Sequence, residues 1–145
     1  MKKAFSLLAL VALGAILTGC PSTSSTQRQQ IAQASQNVSI VLKGAQQAEI
    51  VSYQQHLIPI QDHLFIQHQF SSIGTLGQTT DTCILNSTNT SGAVTCINAA
   101  VVAVDQINTN GGLYLKSDKA KQDFSMTILS IRTILASIAQ ALGGK

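Results

Sequence analysis

The stretch FSMTILSIRTILASIAQAL, Phe124–Leu142, carries the clearest periodicity in the chain. Phe124, Ile128, Ile131, Leu135, Ile138 and Leu142 follow one another at steps of four, three, four, three and four, which draws a single apolar stripe along a helix. Ser117 and Asp118 stand where an N-terminal cap belongs, and Gly143 stands where a C-terminal cap belongs. A stripe of this length must be covered by other helices.

Ile31, Ala34, Val38, Val41, Ala45 and Ala48 repeat the same three-four spacing, so a first helix is expected from about residue 25 to 56, broken by Pro59. Ile60, Leu64, Phe65, Ile66, Phe70 and Ile73 suit a short second helix that ends near Gly74. Residues 74–92, rich in Gly, Thr and Asn, read as a loop. Ile97, Val101, Val104 and Ile107 suit a third helix, with a strand over residues 93–108 as the alternative offered by its β-branched residues. Asn110-Gly111-Gly112 reads as a turn before the last helix. The expected fold is all-α, an up-and-down bundle of about four helices with one disulfide-closed loop.

The N-terminus is of another kind. Lys2 and Lys3 precede an apolar run, Ala4 to Leu17, too short to span a bilayer comfortably and shaped like a secretory signal. It ends Leu17-Thr18-Gly19-Cys20, which resembles the lipobox of bacterial lipoproteins. That resemblance implies removal of residues 1–19, diacylglycerol on the Cys20 sulfur and a fatty acyl group such as palmitate on its new amino terminus. It also implies attachment to the cell envelope. Pro21, where an Asp would favour inner-membrane retention, points to the periplasmic side of the outer membrane. Residues 20–26 then form a lipidated tether and residues 27–145 a single helical domain.

Loss of residues 1–19 from 145 leaves 126 residues, enough for one domain with a core. Of nine Lys and Arg, Lys2 and Lys3 leave with the signal; seven against six acidic residues is a balance of +1, with no basic patch to suggest nucleic acid. With Cys20 consumed by lipid, Cys83 and Cys96 remain, thirteen positions apart in a chain bound for an oxidising compartment. They are expected to form one disulfide around the turn-forming run Asn86 to Gly92. The alternative, a metal pair or free redox thiols, has neither CxxC nor suitable His spacing behind it.

His56, His63 and His68 stand seven and five apart, and five residues on a helix turn side chains about 140° from one another. They are therefore read as surface or helix-junction residues, with Asp62 facing differently from either neighbour, and no metal or other cofactor is expected. Glu49 is the lone glutamate and the five aspartates are scattered; neither a GxSxG elbow nor a Gly-rich phosphate loop occurs, so no catalytic role is expected.

The resulting expectation is a lipid-anchored envelope protein with a structural or protein-interaction role and an envelope protein as partner. The second reading is a periplasmic bundle that takes a small ligand or lipid in an apolar cavity. At the C-terminus, Gly143-Gly144-Lys145 reads as a helix end whose lysine complements the dipole. A lipidated helical protein ending in lysine also resembles the murein lipoprotein, which would imply attachment of Lys145 to peptidoglycan. The aromatic and basic residues that precede the lysine in that family are missing here.

Overall fold

The computed structural model describes residues 25–143, so the signal segment, Cys20, most of the tether and Lys145 lie outside the described residues. Four helices account for nearly all of this span: α1 (Ser25–Gln54), α2 (Ile60–Leu85), α3 (Thr90–Tyr114) and α4 (Asp118–Ala141). No strand occurs among the described residues, and residues 93–108 are helical throughout. Each helix packs on the next, and α4 returns to α1. The bundle is up-and-down: the N-termini of α1 and α3 share one end with the C-termini of α2 and α4. By length and composition alone, α3 and α4 could each cross a membrane; here they pack most extensively on one another.

Two expectations are corrected. Residues 74–85 belong to α2, and only residues 86–89 separate it from α3. Leu76, Thr80 and Ile84 continue the inward face begun at Phe70 and Ile73, a weak stripe that polar neighbours dilute. The hydroxyls of Thr75, Thr79, Thr80 and Thr82 each donate to the carbonyl four residues back, so they do not compete with the helix for its amides. The Asn110-Gly111-Gly112 segment is likewise inside α3. Gly111 is buried against the Phe124 ring, and a Cβ there would collide with it. The glycine serves close helix approach instead of a turn. α1 starts at Ser25, where the first helix is expected from the sequence.

The turns show local causes. Ser117 caps α4 by accepting from the Ala120 amide at 3.1 Å, and Asn89 caps α3 by accepting from Gly92 at 2.8 Å. α1 ends in a Schellman arrangement, with the His56 amide on the Tyr53 carbonyl and the Leu57 amide on that of Ser52. His56 takes the left-handed position of that motif, φ 58°, where glycine is usual. Gly143 holds the equivalent place after α4, at φ 86°. Cys83, in the last turns of α2, is bonded to Cys96 in α3, with Cα atoms 5.8 Å apart. The expected disulfide therefore closes a helix–turn–helix junction, not a long loop.

The buried side chains fall into two clusters. One, toward the α1–α2 and α3–α4 turns, holds Phe70, Val104, Leu115, Phe124 and Ile128. The other, toward the disulfide and the chain ends, holds Ile31, Ile84, Ile97, Ile138 and Leu142.

Candidate functional site

Between those clusters the packing of α1 on α2 is the sparsest of the four seams between neighbouring helices, and there a cavity of about 300 Å³ opens to the surface. Ile73, Val104 and Ile131 form its wall on one side and Ile31, Ile97 and Ile138 on the other, so it reaches the bundle axis. The α1 stripe predicted from sequence supplies Ile31 and Val38 to it. The α2 side is lined by Gly74 and Gly77, and a Cβ on either would meet nothing within 4 Å. Glycine in a helix interior costs about 1 kcal/mol relative to alanine. These two leave open space where larger side chains would fill it.

Polar groups stand at the mouth. Ser35 on α1 donates to an Asp81 carboxylate oxygen on α2 at 3.5 Å, a long contact. Burial pushes the Asp81 carboxyl above the usual carboxylate range, while the Ser35 hydrogen bond acts in the opposite direction. None of the ion pairs among the described residues includes Asp81.

A second polar group of residues was not foreseen. Glu49 on α1 is 7% exposed. One of its oxygens meets His63 Nδ1 and the other accepts from Gln67 Nε2, each at 2.5 Å. The Tyr53 ring stacks on His63 with centroids 4.2 Å apart. Ser35–Asp81, Glu49–Gln67 and Tyr53–His63 advance along α1 and retreat along α2 in equal steps, as one antiparallel register requires. Both carboxylate oxygens of Glu49 are engaged, which makes the group a clasp between α1 and α2 beyond one end of the cavity.

Of the three histidines, His63 is drawn into this clasp, His56 closes α1, and His68 is exposed beside Gln69. Among the described residues no three of His, Cys, Asp and Glu gather as a metal site. Asp62, foreseen as facing away from the histidines, is 1% exposed and accepts from the Lys116 and Ser117 amides. No protein-family model matches the chain, and neither does any curated protein or solved structure.

Proposed function

We propose that the chain is a cell-envelope lipoprotein, held by lipid on Cys20 at the periplasmic face of the outer membrane, whose helical domain acts by binding and not by catalysis. The observation that carries the binding reading is the cavity between α1 and α2, with aliphatic walls reaching the bundle axis and a few polar groups at its mouth. Sites for small apolar ligands have this composition and start at about this size. A much smaller apolar cavity, about 150 Å³, accommodates benzene. The scarcity of aromatic residues speaks against a flat ring-shaped ligand; an aliphatic lining suits an aliphatic one. The domain's role under this reading is to hold an apolar molecule close to the membrane.

A second reading, contact with an envelope protein, draws support from a different place. Leu57, Ile60, Leu64, Leu113 and Tyr114 are exposed at the end of the bundle opposite the start of α1. That is the end a membrane-held N-terminus would present outward, and exposed apolar side chains gathered together mark interaction surfaces.

Crosslinking in intact cells followed by mass spectrometry separates the two. A small apolar molecule attached to the cavity walls supports the first, and a protein joined through the far-end residues supports the second. The anchor is tested separately: Cys20→Ser should abolish labelling by a metabolic fatty-acid probe. If the Ser variant keeps covalent lipid, the anchor reading fails. Wall attachment through Lys145 is tested with purified sacculi: protein retained after boiling in detergent and lost without Lys145 would establish it.

A further inference from the structure

Three features limit what can occupy the cavity. The first is size. A cavity of about 300 Å³ is at the small end of ligand sites and suits a small molecule. The second is lining: Ile31, Ile73, Val104, Leu135 and Ile138 present aliphatic walls, and the two glycines of α2 leave room beside them, which suits an alkyl chain. The third is charge. Asp81 is half-buried at the mouth with a long contact from Ser35, and no described Lys or Arg side chain pairs with it. A carboxylate partly withdrawn from water and so weakly compensated is unfavourable until a positive group reaches it.

We propose that this cavity binds a linear amphiphile with a cationic head, an alkylamine-type molecule whose chain lies among the aliphatic walls and whose ammonium meets Asp81 at the mouth. The tail removes apolar wall from water, and the head supplies the charge-assisted hydrogen bonds that Ser35 alone does not. Anionic amphiphiles place like charge against Asp81 and are disfavoured; alcohols gain the tail contact without the charge. This rests on reading the cavity as the domain's binding element, and it adds the chemical class of the ligand.

The test uses the full chain in its native membranes and three photoreactive eight-carbon probes that differ only in the head: amine, alcohol and carboxylate. Crosslinks are mapped by mass spectrometry. The amine probe should label cavity-wall peptides about tenfold more than the carboxylate probe, the ratio one charge-assisted hydrogen bond supports. Asp81→Asn should bring the two near parity, with alcohol labelling falling far less than amine labelling. Gly77→Leu fills the cavity from α2 and Ser39→Leu from α1; either should abolish labelling by all three, with helicity unchanged by circular dichroism. Equal labelling by the three heads in the unmodified chain, or an amine preference that survives Asp81→Asn, overturns the cationic ligand and leaves the binding reading standing. No wall labelling by any probe overturns both.

Discussion

The carboxylate of Asp62, near the start of α2, accepts the backbone amide of Ser117 at 2.8 Å, fifty-five residues further along the chain. Its other oxygen accepts the Lys116 amide at 2.9 Å. A single side chain therefore secures the α3–α4 turn to α2, and Ser117, held in place, caps α4 in turn.

Removing that side chain should cost more than its size suggests. Asp62→Ala orphans two amides and opens a small void, and about 2–3 kcal/mol of stability should be lost. Asp62→Asn keeps one good acceptor and should lose less. Urea denaturation with constant slope measures both; an alanine variant as stable as the unmodified chain would show that water replaces the carboxylate.

Gly111→Ala reverses the ordinary preference. Alanine favours a helix over glycine by about 1 kcal/mol, but here the new methyl meets the buried Phe124 ring. Overpacking of this kind costs about 1–3 kcal/mol, so the variant should melt lower despite its better propensity. Pairing it with Phe124→Leu should restore part of the loss, and thermal unfolding of the single and double variants is the measurement.

The bridge between Cys83 and Cys96 should resist alkylation in native protein until reductant is added. Replacing both residues with alanine should lower stability by about 3 kcal/mol, the chain-entropy value for a loop of this length. Ready alkylation of both thiols before reduction would contradict the disulfide.

Asp81 gives a pH signature. Its carboxyl holds a proton more tightly in the folded chain than the usual value of 3.8, because burial disfavours the charged form. The folded state then binds more protons than the unfolded one as the group titrates. Its contribution is fully present below that value and is lost as pH rises through the folded pKa. Asp81→Asn should accordingly be more stable than the unmodified chain at neutral pH, with the gap closing on acidification. Urea midpoints across an acid-to-neutral series, taken without ligand, read this directly; a gap that widens toward acid contradicts it.

The helices whose stripes use large or uniformly apolar residues, α1 and α4, are readable from local sequence because each turn repeats the same signal. The second half of α2 is not, since its inward positions include Thr80 and the residues around them are largely Gly, Thr and Gln, the vocabulary of loops. Gly111 misleads for a related reason: what it accommodates, Phe124, lies on another helix. His63 and Gln67 stand four apart on α2, but nothing local points to Glu49, whose meeting with them depends on the antiparallel register of α1 on α2. The cavity is legible only in retrospect, through two interior glycines in one helix and an acidic residue a turn beyond them. A void is a property of several helices at once, and no single segment encodes it.

The distribution of staples has a dynamic consequence. Disulfide Cys83–Cys96 ties α2 to α3 at one end, and Asp62 ties α2 to the α3–α4 turn at the other. α1 has neither; it is held to α2 by the Glu49 clasp near its C-terminal turn, and its seam with α2 is the sparsest of the four between neighbouring helices. Partial opening should therefore release α1 first, as a hinged leaf on a three-helix frame, and amide hydrogens of α1 should exchange with deuterium ahead of those in α3 and α4. A leaf that swings about its C-terminal turn uncovers the cavity along its length, so ligand entry and exit would be timed by the breathing of one helix and not by unfolding of the domain.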